Sequence, residues 1–318
     1  MVDSSEQTVS SEERWTVLRV LQWTTDYLRR HGSETPRLDA ELLLAHVRGC
    51  SRIELYTRFD EELTANERAR MRELVKRRAA HEPVAYLIGR REFFGLEFEV
   101  TPQVFVPRPE TETLVMELLE LAKAVPSPKV LDVCTGSGCI AVAFAVQRPD
   151  AWVTAVDLSD EALKVAQRNA ERHGVDHRVM FVRSDLFEFL KRSKDSAASE
   201  HVERPVPERF DFIVSNPPYV AEREEREVDP EVRLHEPRQA VFAGPDGLDV
   251  IRRLVAEAAD FLVPDGWLLL EISPEQAEAV AQLAEATGRF AQPRFARDLA
   301  GQRRVVLLQR GNHDESDL

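Results

Sequence analysis

Asn216-Pro217-Pro218-Tyr219 is the stretch whose residue types carry the most specific chemistry. Two consecutive prolines fix φ and remove two backbone N–H donors, so the turn is stiff and presents carbonyl oxygens that no sheet ladder uses. The Asn216 side-chain oxygen and a neighbouring proline carbonyl can then accept both hydrogens of one planar NH2 group. That grip fixes the nitrogen and aims its out-of-plane face at an electrophile, which suits an amide or an aromatic amine. Asn and Pro are also ordinary turn residues, and an Asn-Pro pair alone reads as a strand end. The full tetrapeptide acquires a chemical meaning when a cofactor site lies upstream.

Such a site is written at 130–138, where Val130-Leu131-Asp132-Val133-Cys134-Thr135-Gly136-Ser137-Gly138 passes from strand to glycine turn to helix. Gly136 and Gly138 allow a ligand close to the backbone, and the helix amino terminus that follows offers free N–H groups. Asp157, nineteen positions beyond Gly138, ends the next apolar run. An acid in that position binds ribose hydroxyls. The loop lacks the lysine of a phosphate-binding GxxxxGK[ST] loop and the three-glycine dinucleotide fingerprint, which disfavours nucleotide hydrolysis and hydride transfer. Asp185 and Leu186 follow the third strand and have two readings: an acid and an apolar wall for an adenine ring, or a helix N-cap by Asp185. Asp132 is placed to orient the loop or a ligand amino group. His173 and His177 straddle Gly174 at a helix end and make a poor metal pair, and neither HExxH nor GxSxG occurs. His235-Glu236-Pro237 reads as plain loop, with covering the site as the alternative.

These residues need a scaffold that brings strand ends together. Strand signals fall at Lys129 to Val133, Trp152 to Asp157, Val179 to Arg183, Phe210 to Ser215, Trp267 to Ile272 and Arg304 to Gln309, with a weaker one at Pro293 to Arg297. Helical patterns at Ile140 to Gln147, Asp160 to His173, Leu248 to Leu262 and Glu275 to Thr287 lie between most of them. The alternation predicts an α/β fold, a doubly wound and mostly parallel seven-stranded sheet, with ligands at its carboxyl rim. Asn216 follows the fourth strand, on that rim.

The amino-terminal part is different. Residues 1–10 read as a disordered tail. Helical patterns start at Ser11 and again at Pro36, and a third, capped by Thr64, runs to Ala80, so 11–82 reads as a small all-helical domain. The arginines of the third helix, Arg68, Arg70, Arg72, Arg77 and Arg78, alternate with acids and read as a solvated face. Residues 83–108, with Phe93, Phe94, Gly95 and Phe98, read as a β-hairpin linker, and Thr113 to Ala124 as a helix opening a domain that reaches 310. Residues 191–208 form a polar insertion read as a mobile surface loop, and 311–318 a tail.

The 318 residues carry 42 basic and 56 acidic side chains, a formal charge of −14, which opposes attraction to a phosphate backbone and makes nucleic acid an unfavoured partner. Cys50, Cys134 and Cys139 form no CxxC pair. No metal site is expected, and a reducing, cytoplasmic setting fits. No run is long and apolar enough for a membrane span. A monomer is expected.

The chain resembles the class I S-adenosylmethionine-dependent methyltransferases, and more specifically is similar to the release factor glutamine methyltransferases, the HemK or PrmC family. The resemblance runs from about Arg14 to Leu308: RLDAELLLAHV at 37–47, EPVAYLIGRREFFGLEFEV at 82–100, VPRPETE at 106–112, LDVCTGSGCIA at 131–141, SNPPYV at 215–220, HEPRQAVFAGPDGLDV at 235–250 and DLAGQRRVV at 298–306. It implies methyl transfer from S-adenosylmethionine, leaving S-adenosylhomocysteine, to the side-chain amide nitrogen of the glutamine in the Gly-Gly-Gln motif of class I peptide-chain release factors. Carried onto this sequence, it puts Cys134, Thr135, Gly136, Ser137 and Gly138 in the cofactor loop, Asp157 at the ribose, Asp185 and Leu186 beside the adenine, and Asn216, Pro217, Pro218 and Tyr219 at the target glutamine. Asn216, Pro217 and Tyr219 are then the catalytic group, and Asn216 also borders the cofactor. Cys134 stands where many relatives have Gly, and Leu186 where some have Trp. The rival readings are methylation of a ribosomal-protein glutamine, adenine-N6 methylation of nucleic acid, with which the family shares NPPY, and a non-catalytic cofactor-binding partner of translation factors.

Overall fold

The computed structural model describes residues 14–195 and 207–311. The expected tails, and most of the expected loop at 191–208, lie outside the described residues. The chain divides into two compact units, Met1–Ile88 and Gly89–Leu318.

The first unit is helical: α1 Val17–Arg30, α2 Pro36–Arg48, α3 Arg52–Thr57, α4 Ala65–Ala79 and α5 Val84–Ile88. Leu21, Leu28, Leu43, Leu44, Leu55, Met71 and Val75 close one apolar core. Capping sets the boundaries. Thr64 and Glu67 form a capping box at α4, and Gly49 ends α2 in the left-handed region at φ 63°. A second box, Ser51 with Glu54, starts α3 and is the structural counterpart of an S-x-x-E signal in the sequence.

Two acids of RLDAELLLA are buried and paired. Asp39 accepts Ser33 Oγ at 2.8 Å, Thr35 Oγ1 at 3.0 Å and Arg78 Nε at 2.7 Å, while Glu41 accepts Arg37, Arg52 and Tyr56. Arg78 is therefore a buried strut, a correction to its reading as part of a solvated face. Residues 84–88, read as the start of a hairpin linker, are likewise corrected to helix: Pro83 precedes α5, whose Ala85, Tyr86 and Leu87 are buried.

The second unit opens with the hairpin β1 Arg90–Phe93 and β2 Leu96–Glu99. Phe94 (φ 52°) and Gly95 (φ 72°) make the two-residue left-handed turn that matches strand twist. Then follow α6 Glu112–Ala122, β3 Lys129–Val133, α7 Cys139–Gln147, β4 Trp152–Asp157, α8 Asp160–Arg172, β5 Val179–Arg183, α9 Glu188–Asp195 and β6 Phe210–Ser215. The remainder is α10 Pro230–His235, α11 Asp249–Glu257, β7 Leu262–Glu271, α12 Ala277–Thr287, β8 Arg294–Arg297 and β9 Arg303–Gln309. Helices α9 and α10 were not foreseen.

The seven strands run in the order β5-β4-β3-β6-β7-β9-β8. β3 to β7 are parallel, and β9 is antiparallel to both neighbours. Alternation along each strand feeds two cores. Val130, Phe212 and Val214 face α6 and α7 on one side, while Leu131, Val133 and Ile213 face α11 and α12 on the other. Strand order reverses between β3 and β6, the switch point at which a ligand crevice opens beyond the carboxyl ends.

Candidate active site

Val133 pairs with Ser215 across β3 and β6, so Cys134 and Asn216 leave adjacent strands at the same level, about 5 Å apart in the pairing direction. Ser215 Oγ donates to Val133 O at 2.6 Å and pins the two exits together. Val156 pairs with Val133 on the other flank, which brings Asp157 to the same rim.

The turn after β3 is built on left-handed residues: Cys134 at φ 60°, Gly136 at 55° and Gly138 at 79°. Gly138 has a second constraint, since a Cβ there would lie 2.9 Å from Ala166 Cβ on α8. Thr135 N donates to Val156 O at 3.0 Å, and Thr135 Oγ1 donates to Asp132 Oδ2 at 2.6 Å. Asp132 also takes Ala141 N at 3.2 Å, while its Oδ1 is buried without a hydrogen-bond partner among the described residues. Burial pushes this carboxyl up to about 7. Ser137 is buried, and its carbonyl accepts Asn169 Nδ2 at 2.9 Å. Burial also pushes the Cys134 thiol upward, which makes it no nucleophile.

Asp157 accepts Gly136 N at 2.9 Å on Oδ2 and Ser159 N at 2.9 Å on Oδ1. Each oxygen keeps a lone pair for a hydroxyl. Burial raises its pKa against these two backbone bonds. Beyond β5, Leu186 is buried in the left-handed region at φ 49°, and Asp185 does not cap a helix: its side chain pairs with Arg253 Nη1 at 3.0 Å. Glycine turn, Asp157 with a free lone pair on each oxygen and the buried Leu186 together form a lining that a nucleoside would fit.

The target side of the rim is held by residues to which the sequence reading gave no role. Asn216 Nδ2 donates to the buried Thr111 Oγ1 at 3.1 Å, with Oδ1 turned away from Thr111. Pro217 and Pro218 are buried. Tyr219 Oη donates to Glu271 Oε1 at 3.3 Å, and Tyr219 O accepts Gln276 Nε2 at 2.9 Å. Gly247 backs the same carbonyl so closely that a Cβ would stand 2.3 Å from it. The segment beyond is tied down by Val220 N to Val241 O and Ala243 N to Val220 O, both 3.0 Å.

Glu236, in the segment read as plain loop, is buried; it accepts Val106 N at 3.0 Å and an ion-paired hydrogen bond from Arg108. It thereby joins HEPRQ to VPRPETE. His173 has a structural task, with Nε2 on Glu97 O at 2.9 Å. Thr111 lies within a quoted motif, but its partner is 105 positions away, and Glu271 ends an apolar run whose sequence looks like ordinary core. Only folding joins them.

Comparison with known proteins agrees with this geometry. The PrmC N-terminal domain matches residues 19–89 and the methyltransferase small domain matches 109–232. The release factor glutamine methyltransferase of Rhodopirellula baltica is 45% identical over 305 residues, covering 95% of this chain and 98% of its own length. The protein of that name from Geobacter sulfurreducens is 45% identical over 294 residues, covering 92% and 96%. Among solved structures, the hMettl16 catalytic domain in complex with an RNA hairpin has a TM-score of 0.53 at 15% identity, covering 74% of this chain and 82% of that one, and shares the fold. Among the described residues no helix is long and apolar enough to cross a membrane. Matched nearly end to end by relatives of this kind, the chain belongs to the release factor glutamine methyltransferase family.

Proposed function

We propose that this protein transfers the methyl group of S-adenosylmethionine to the side-chain amide nitrogen of the glutamine in the Gly-Gly-Gln motif of class I peptide-chain release factors, and so modulates translation termination. The observation that carries this reading is the pairing of Val133 with Ser215, which sets Asn216 beside the cofactor turn. S-adenosylmethionine, when bound, supplies an electrophilic methyl carbon on a positively charged sulfur.

The residues of the chain do the rest. Thr135, Gly136, Ser137 and Gly138 form the backbone cradle, and Asp157 takes the ribose hydroxyls. Asp185 and Leu186 border the adenine. An amide nitrogen is a poor nucleophile, because its lone pair is delocalised into the carbonyl. Asn216 Oδ1 and the Pro217 carbonyl accept its two hydrogens, which favours pyramidalisation and points the lone pair at the methyl carbon; Tyr219 packs beside the side chain. Orientation of this kind lowers a barrier by several kcal/mol, up to about 7 to 11 in good cases. The proton becomes acidic only as the nitrogen gains positive charge, so it leaves late to water and needs no strong base.

The substrate is a protein rather than a nucleic acid, in keeping with the formal charge of −14. The test is incubation with a purified release factor and its Gly-Gly-Gln Gln→Ala variant, followed by weighing both. The expected result is one added methyl on the first and none on the second. Equal methylation of both rejects the glutamine as target.

A further inference from the structure

One buried carboxyl holds the Tyr219 side of the proposed target clamp. Glu271, at the end of β7, is buried, with Tyr219 Oη donating to its Oε1 at 3.3 Å and the Thr111 hydroxyl near enough to favour the ionised carboxyl. Thr111 in turn accepts Asn216 Nδ2 at 3.1 Å. The hydroxyl has one hydrogen to give. With that hydrogen directed to the carboxyl, its lone pair meets the Asn216 amide. Burial, seconded by the charge of Glu110, outweighs the Thr111 and Tyr219 hydroxyls and Arg304, itself paired with Asp298 at 3.2 Å, and pushes the Glu271 carboxyl up to about 7. Its Oε2 has no hydrogen-bond partner among the described residues. A buried acid with an unsatisfied oxygen is a poor stabiliser of a fold. Its bond to Tyr219, beside that of Thr111 to Asn216, gives it a different use.

We infer that Thr111 and Glu271 are positioning residues for methyl transfer: they lock the Asn216 side chain with Oδ1, rather than Nδ2, presented to the incoming glutamine. The inference rests on the proposed function. Without the Thr111 acceptor the Asn216 amide has no reason to keep one face. Rotated by half a turn, it would oppose its own NH2 to the substrate NH2, donor against donor. Such a flip leaves the glycine turn and Asp157 untouched, so cofactor binding is indifferent to it.

The test measures kcat and KM for a release factor, with cofactor affinity by calorimetry, on the full chain. Thr111→Val removes the hydroxyl at nearly constant volume. It is expected to lower kcat by about 10- to 100-fold, the scale of one buried hydrogen bond left unmade, with cofactor affinity unchanged. Thr111→Ser restores most of that loss. Glu271→Gln, which keeps one acceptor oxygen for two hydroxyls, falls between. A Thr111→Val kcat equal to wild type overturns the proposal, as does a Thr111→Ser enzyme as slow as Thr111→Val, since methyl packing would then be the cause. Wild-type turnover in Glu271→Gln removes Glu271 from it. Asn216→Ala separates the two levels: an active Asn216→Ala sinks the amide clamp itself, whereas an inactive one beside an unimpaired Thr111→Val sinks only the positioning device.

Discussion

Gly247→Ala isolates the target clamp from the cofactor cradle. Gly247 sits at φ 76°, and a Cβ there would stand 2.3 Å from Tyr219 O and 3.0 Å from both Ala221 N and Gln276 Nε2. The left-handed conformation alone costs an alanine about 1–2 kcal/mol. The contact cannot be relieved by rotating a side chain, because its partner is backbone. Opening it even to 3.0 Å needs a displacement of about 0.7 Å along the contact, which falls on the Pro218-Tyr219 segment or on the 244–248 loop. A misplacement on this scale costs on the order of 100-fold in rate when it falls on a positioning group. The expected outcome is a kcat lowered by about 100-fold and a melting temperature lowered by about 2–8 °C, with S-adenosylmethionine affinity by calorimetry unchanged. A wild-type kcat together with a lowered melting temperature would refute the reasoning, because the strain would then have been absorbed without reaching Tyr219. Parallel loss of cofactor affinity would show instead that the two halves of the rim are not independent.

Three further outcomes follow from the same geometry. Asp157→Ala removes the acceptor of the Gly136 and Ser159 N–H groups together with the diol contact, and is expected to weaken cofactor binding by about 100-fold in calorimetry while leaving the sheet folded by circular dichroism. Glu236→Ala leaves Arg108 and the Val106 N–H without their buried partner and should cost about 3 kcal/mol in urea unfolding; a loss no larger than for an exposed residue would deny it a structural role. Glu271 is an acid whose folded pKa is raised from 4.5 to about 7 by burial. The folded state therefore holds a proton that the unfolded state has released, and stability falls as pH rises through that window. Relative to wild type, Glu271→Gln should gain melting temperature between about pH 4.5 and pH 7 and level off above it; a difference that does not vary with pH would show that the carboxyl is not shifted.

Much of the candidate site was legible before folding because it is local. The glycine turn and Asp157 are fixed by strand-turn-helix grammar over a few residues, and NPPY by the two prolines themselves. The seven strands were found because buried parallel strands are short apolar runs between amphipathic helices. Residues 84–88 were misread because an apolar run of five next to a real hairpin does not reveal its period, and burial of Ala85, Tyr86 and Leu87 decided it. Arg78 was misread because its partner Asp39 lies 39 positions away.

What the order of residues determined alone is therefore local: a glycine turn after one strand, a stiff proline-bound corner after another, and the alternation that sets both at strand ends. What only the tertiary structure decided is orientation. Thr111 against Asn216, Glu271 against Tyr219 and Gly247 against the Tyr219 carbonyl join segments separated by 105, 52 and 28 positions. Contacts at such separations leave no periodic trace in a sequence, and they come into being when the sheet sets its strands in register.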